Sequence, residues 1–144
     1  AIQEALIHKA TEISLLPGAR DFINRLQEQG YYLAIATNKG HASLLKALQI
    51  TGLEQIFTVT RSAGQVPAKP CPQMLQELLD EYGVQPEDAV MIGDSMSDME
   101  MAVSLGVRAI GVDFYHQHET ALKSAGAEMV FDDYRALSDY LFSN

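Results

Sequence analysis

Ala89-Val-Met-Ile-Gly-Asp94-Ser-Met-Ser-Asp98 runs a short apolar segment into a glycine and then into two carboxylates four positions apart. An apolar run of that length, bounded by turn residues, predicts a fully buried strand. Behind it, Met99, Ala102, Val103 and Leu105 recur at helical spacing up to Gly106, which predicts a helix with a glycine stop. Asp94 is thereby placed where a buried strand ends. In open α/β sheets the crevice beyond the carboxyl ends of the strands is where ligands bind, so Asp94 is a candidate metal ligand or acid–base group, against the plainer reading of a turn residue. Asp98 has two readings: a ligand, or the third helical position of a capping box opened by Ser95, a pattern that Ser97 and Glu100 repeat two residues later.

On the N-terminal side of this stretch, Ile2, Leu6, Ala10 and Ile13 predict a helical stripe over Ala1 to about Ile13. The chain lacks an initiating methionine and a signal-peptide pattern, and it opens like the inside of a helix, as a trimmed piece of something longer would. Pro17-Gly18 breaks the stripe, and Ala19, Phe22, Ile23 and Leu26 predict a helix ending at Gly30. Tyr31 to Thr37-Asn38 is β-rich with a polar end at Lys39-Gly40 and predicts a second buried strand. A helix over His41 to Gln49 and a short strand over Ile56 to Thr60 follow. Arg61 to Cys71, with Gly64, Pro67 and Lys69-Pro70, reads as loop. Met74, Leu75, Leu78 and Leu79 predict a helix stopping at Gly83. Beyond the opening stretch, a strand is expected over Val107 to Asp113, a helix over His118 to Ala125, a strand over Glu128 to Phe131 and a last helix over Tyr134 to Phe142. Strands alternating with helices predict βαβ units, right-handed crossovers and a mostly parallel sheet.

With 144 residues, 47% of them hydrophobic and 20% charged, the chain suits one soluble α/β domain. A formal net charge of -9, with the ten Lys and Arg scattered, argues against a nucleic-acid partner. No apolar run reaches membrane-spanning length, so no membrane partner is expected. The single cysteine, Cys71, excludes an intrachain disulfide and a four-cysteine zinc site and suggests a reducing, cytoplasmic setting. A small anionic substrate remains compatible with the acidic balance, because a metal ion and one or two placed cations reverse the local sign.

Three polar signals fall at or just beyond the ends of successive strands: Thr37-Asn38, Lys69-Pro70, and Asp94 with Asp98. Each alone has a structural explanation as a cap, a solvated lysine or a turn. Together they supply what phosphoryl transfer needs: a hydroxyl and backbone amides for the phosphoryl oxygens, an ammonium, and carboxylates for Mg²⁺.

Thr37 in I-A-T-N, Lys69 in A-K-P-C-P and G-D-S-M-S-D at Gly93 to Asp98 resemble motifs II, III and IV of haloacid-dehalogenase-like (HAD) hydrolases, and more narrowly their phosphoglycolate-phosphatase-like branch. Leu16-Pro-Gly-Ala-Arg and the A-G-A-E-M-V-F-D-D run at Ala125 to Asp133 extend the resemblance from about Leu15 to Leu141. It implies a Rossmann-like, three-layer αβα core over residues 15–144 and a Mg²⁺-dependent phosphomonoester hydrolase acting on a small phosphorylated metabolite through an aspartyl-phosphate. Thr37, Asn38 and Lys69 would bind the phosphoryl group, with Thr37, Lys69 and Asp94 as the catalytic set. Asp94 would coordinate the metal, with Asp98 as an outer or second ligand.

The family's nucleophile lies in a D-x-D motif at the end of its first strand, and none of the nine aspartates here forms one. The resemblance therefore implies a core missing its first strand, with residues 1–14 as the tail of a helical cap or a linker, and the chain alone inactive. That strand is central in the family, so its loss would leave two sheet edges unpaired. The chain alone would then be marginally stable, gain that strand from another chain or segment, or close the gap by rearrangement. A non-catalytic binding module derived from the fold, and a haloacid dehalogenase-type hydrolase, are the competing readings. Cys71 reads as an inert loop thiol; His41, His116 and His118 read first as structural or solvated and second as substrate contacts, and Arg61 as a loop cation near the phosphate.

Overall fold

The computed structural model describes residues 5–8 and 18–142. In chain order these form β1 (Ala5–His8), α1 (Ala19–Glu28), β2 (Tyr32–Gly40), α2 (His41–Thr51), β3 (Val59–Ala63), α3 (Gln73–Tyr82), β4 (Ala89–Gly93), α4 (Met96–Leu105), β5 (Arg108–Val112), α5 (Glu119–Ser124), β6 (Met129–Phe131) and α6 (Tyr134–Phe142). The strands make one sheet in the order β3-β2-β1-β4-β5-β6, and every described pairing between these strands is parallel.

Strand periodicity assigns the two faces. On β2, Leu33 and Ile35 point to one side and Ala34 and Ala36 to the other; β4 does the same with Val90 and Ile92 against Ala89 and Met91. The first side packs Phe22, Ile23 and Leu26 of α1, Leu44 and Leu48 of α2 and Leu137 of α6. The second packs Met74, Leu75, Leu78 and Leu79 of α3, Met99 and Ala102 of α4 and Leu122 of α5. The result is a three-layer αβα core with β4 buried along its whole length, as an apolar run without alternation requires.

Most expected elements are found within a residue or two, and two are corrected. The helical stripe expected over Ala1 to Ile13 does not form at Ala5–His8, which is a strand; the rest of that segment and Pro17 lie outside the described residues. Ala5–His8 pairs on both sides, with Tyr32–Ile35 and with Ala89–Ile92. It thus occupies the central position that the sequence left without a strand. Helix propensities differ by less than about 1 kcal/mol per residue, whereas two buried sheet edges would leave a row of backbone donors and acceptors unsatisfied, so sheet pairing outweighs the weak periodicity.

The second correction shifts β3 from Ile56–Thr60 to Val59–Ala63. Ile56 and Phe57 instead close a turn on the Leu53 carbonyl, at 3.0 Å each, which buries Leu53 and Phe57 in the core. Arg61, read as a loop cation near the phosphate, is therefore in a strand. Its guanidinium is spent on Glu77 and Glu81 of α3, at 2.8 Å each.

Candidate functional site

The sheet register sets the site. His8, the last paired residue of β1, lies opposite Ile35 of β2 and Ile92 of β4. Thr37 and Asp94 each follow two residues later, so they stand at the same level of the sheet edge on either side of the central strand. Two inter-strand spacings, about 10 Å, separate their backbones.

Thr37 is buried, and its Oγ1 accepts the Lys39 backbone N–H at 3.1 Å. An accepting hydroxyl keeps its own proton to donate. Asn38 is exposed, and its Oδ1 accepts the backbone N–H of Lys69 at 2.9 Å, tying the end of β2 to the loop after β3. The Lys69–Pro70 peptide in that loop is cis. Lys69 is 6% exposed, and its Nζ donates to the Ala36 carbonyl at 3.3 Å and to Asp98 Oδ1. Motif II, the Lys69 loop and α4 are thus joined through a single ammonium.

Asp98 performs the capping that the sequence allowed. Ser95 is the N-cap of α4, its Oγ accepts the Asp98 N–H at 3.3 Å, and Asp98 Oδ2 accepts the Ser95 N–H at 3.3 Å. Oδ2 also takes the Ser95 hydroxyl at 2.9 Å. Both carboxylate oxygens of this buried residue are therefore engaged, one by the cap and one by Lys69. Gly93 makes the arrangement possible, since a Cβ there would fall 2.5 Å from Cβ and 2.6 Å from Cγ of Asp98. The glycine in G-D-S-M-S-D is required by contact rather than by backbone conformation.

Asp94 is half-buried and opens onto a cleft of about 200 Å³ lined by Asp94, Ser95, Met96, His118, Ala121 and Leu122. The Tyr134 hydroxyl is pushed well above its ordinary value by burial and, secondarily, by the Asp94 charge. The remaining candidates lie elsewhere or are structural. His41 begins α2 in an exposed position, and Cys71 is half-buried, its N–H donating to the Ala68 carbonyl at 3.1 Å. His116 has a left-handed backbone, φ 57°, and its Nε2 lies 3.7 Å from Asp132 Oδ2.

The sequence reading passed over Asp113, treating it only as a strand end. It is 6% exposed, and its two oxygens accept the backbone N–H groups of Gln117 at 3.0 Å and His118 at 2.9 Å. Burial pushes its carboxyl up, but those two bonds, with the charges of His118 and His116, outweigh burial and hold it below the usual carboxylate range. An aspartate just past the end of a strand and five residues before the N-cap of the next helix is the signal that was available.

Among the described residues, no three His, Cys, Asp or Glu side chains converge as a metal cage. Mg²⁺ does not need one, because it binds through one or two carboxylates, waters and substrate phosphate. Asp94, beside a cleft and at the level of Thr37, fits that donor set. No helix among the described residues is long and apolar enough to cross a membrane.

The family model described as haloacid dehalogenase-like hydrolase matches residues 2–112. The chain belongs to the haloacid dehalogenase-like hydrolases. A phosphoglycolate phosphatase of Rhodospirillum rubrum is 34% identical over 129 residues, covering 89% of this chain and 53% of that protein. One from Haemophilus influenzae strain 86-028NP is 28% identical over 124 residues, covering 85% and 55%. Among solved structures, CbbY from Rhodobacter sphaeroides in complex with phosphate superposes with a TM-score of 0.73 at 31% identity, over 84% of this chain and 55% of that one. A haloacid dehalogenase-like protein from Agrobacterium tumefaciens gives 0.79 at 26%, over 88% and 59%. This HAD-like chain spans about half the length of the curated relatives it matches.

Proposed function

We propose that this HAD-like chain is the phosphate- and metal-binding part of a Mg²⁺-dependent phosphomonoester hydrolase that works through an aspartyl-phosphate. The observation that carries the reading is the placement of Thr37 and Asp94 at one level astride the central strand, with Lys69 fixed beside them by Asp98 and the Ala36 carbonyl. The phosphatase names of the relatives and the phosphate held by CbbY support it.

In this reading the Thr37 hydroxyl proton and the amides beyond it bind phosphoryl oxygens, and the Lys69 ammonium offsets their charge. Asp94 holds Mg²⁺, with Asp98 behind it as capping residue, lysine anchor and metal support. The ion, when bound, supplies charge neutralisation and alignment of the phosphoryl group. The attacking carboxylate comes from another segment or chain, since no D-x-D occurs in these 144 residues. A small phosphorylated metabolite is the substrate and the cytoplasm the setting.

Isothermal titration of the chain with inorganic phosphate tests this. Binding is expected with Mg²⁺ and lost without it or in Asp94→Asn, while steady-state phosphatase turnover stays at background. Phosphate binding indifferent to both Mg²⁺ and Asp94 would overturn the site. Robust Mg²⁺-dependent turnover would overturn the missing nucleophile.

A further inference from the structure

α1 and α6 pack on the same face of the sheet, and between them runs a groove of about 340 Å³ that shares no lining residue with the Asp94 cleft. Ligand clefts span about 300–1,000 Å³, so the groove suits a small molecule. Its floor is apolar: Phe22 and Tyr134, both buried, meet there with ring centroids 5.4 Å apart.

One cation in the groove is fixed in place. Arg25 of α1 donates from Nη1 to the Ser138 hydroxyl of α6 at 3.0 Å, and its guanidinium carbon lies 4.4 Å from the centre of the Phe142 ring. A guanidinium has five N–H groups, and among the described residues the other four have no acceptor. Ser138 is 8% exposed, and its oxygen, by accepting from Arg25, keeps a proton that nothing among the described residues takes. A buried hydroxyl with an idle donor, beside a clamped guanidinium, is a receptor for a carboxylate.

Asp21 stands one helical turn before Arg25, on the same face of α1. That spacing would ordinarily pair the two, but Arg25 is drawn across to α6, and Asp21 has no ion-pair partner among the described residues. An acid and a base are thus held a turn apart along one wall. The other two charged residues lining the groove, Arg135 and Asp139, offset each other, so the groove carries no net charge that would favour a simple anion or cation.

We propose that this groove binds an α-amino acid with an apolar side chain, its carboxylate on Arg25 and Ser138, its ammonium on Asp21 and its side chain over Phe22 and Tyr134. Such a ligand carries both charges on one carbon, a spacing that bridges the single turn between Asp21 and Arg25. A monocarboxylate would face Asp21 with like charge, and an amine would face Arg25 in the same way, so both ionic groups count toward selection. Binding here is independent of the phosphoryl site.

Isothermal titration of the 144-residue chain with L-leucine tests this. N-acetyl-L-leucine, which lacks the ammonium, and L-leucinamide, which lacks the carboxylate, are the controls. L-leucine is expected to bind with a dissociation constant of about 1 mM or below, and each control roughly tenfold more weakly, equivalent to about 1.4 kcal/mol. Arg25→Gln and Asp21→Asn, both at exposed positions, should each weaken L-leucine about tenfold. Asp94→Asn should leave its affinity within about twofold. No saturable binding of L-leucine overturns the site, and a control that binds as tightly overturns the requirement for both charges. Unchanged affinity in Asp21→Asn, or in Arg25→Gln that unfolds cooperatively, overturns the placement. Loss of binding in Asp94→Asn would move L-leucine to the phosphoryl site and overturn the proposal as well.

Discussion

Lys69 and Asp98, 29 residues apart in sequence, form an ion pair in which neither side chain is exposed to solvent. Asp98 holds the ammonium with one oxygen and its own helix start with the other. The pair therefore couples the position of the candidate phosphate-binding cation to the N-terminus of α4, and through Gly93 to the end of β4.

Breaking this pair from one side is expected to be costly, because it strands a buried charge. Asp98→Asn should lower the unfolding free energy by about 3–5 kcal/mol, although the amide still accepts at the cap. Adding Lys69→Met removes the stranded ammonium, so the double variant should recover at least half of the loss. Urea midpoints at constant m value measure both. Additive losses in the two single variants would mean that the ion pair contributes no coupling.

Gly93→Ala addresses the same junction without changing any charge. The added methyl would meet Asp98 at 2.5–2.6 Å, well inside van der Waals contact, at the buried end of β4 with little room to relax. A loss of about 1–3 kcal/mol is expected from overpacking, together with displacement of Lys69 that weakens phosphate binding. A crystal structure of the variant with Asp98 and Lys69 unmoved would contradict this account.

How the chain folds was mostly legible where burial dictated residue type. Ala89–Gly93, α4 with its Ser95–Asp98 box, and α6 lie where their patterns place them, because a strand covered on both faces must be apolar and a helix start must satisfy its N–H groups. Ala5–His8 was not legible. Its apolar spacing fits a helix, and what makes it a strand is the pairing available on β2 and β4, which no local pattern records. In the candidate site, residue types singled out Thr37, Lys69 and Asp94 as candidates, but the sharing of Asp98 between cap and lysine needed three-dimensional contact to see. Asp113 was overlooked because its partners are backbone N–H groups, which leave no residue-type signature at positions 117 and 118.

Asp113 should also give the protein a recognisable acid limb. Its folded-state titration lies below that of an unfolded aspartate, near pH 3.9. A group depressed in this way stabilises the fold fully above the unfolded value, and the contribution disappears as pH falls through the lower folded value. Asp113→Asn, which cannot accept both N–H groups equally, should be less stable than wild type by about 1–3 kcal/mol at pH 7. The gap should close on acidification below about pH 4. Thermal unfolding of the two proteins at matched pH values reads the difference directly; a gap independent of pH would assign the effect to shape instead of charge.

The central position of β1 yields the most severe expectation. Ile7 pairs with Ala34 on one side and Met91 on the other, so its backbone lies inside the sheet with neighbours on both edges. Ile7→Pro removes one N–H from that ladder, leaves a buried carbonyl unpaired at about 1–3 kcal/mol, and forces a ring into the space of the adjoining strand. The variant is expected to lose cooperative unfolding or to show a midpoint far below wild type by far-ultraviolet circular dichroism, with hydrogen exchange at Ala34 to Ala36 and at Val90 to Ile92 accelerated together. Joint acceleration is the decisive part, because β2 and β4 are linked in the sheet only through β1. If Ile7→Pro leaves exchange on both strands at wild-type rates, the segment Ala5–His8 does not fill the middle of the sheet, and a strand from elsewhere must.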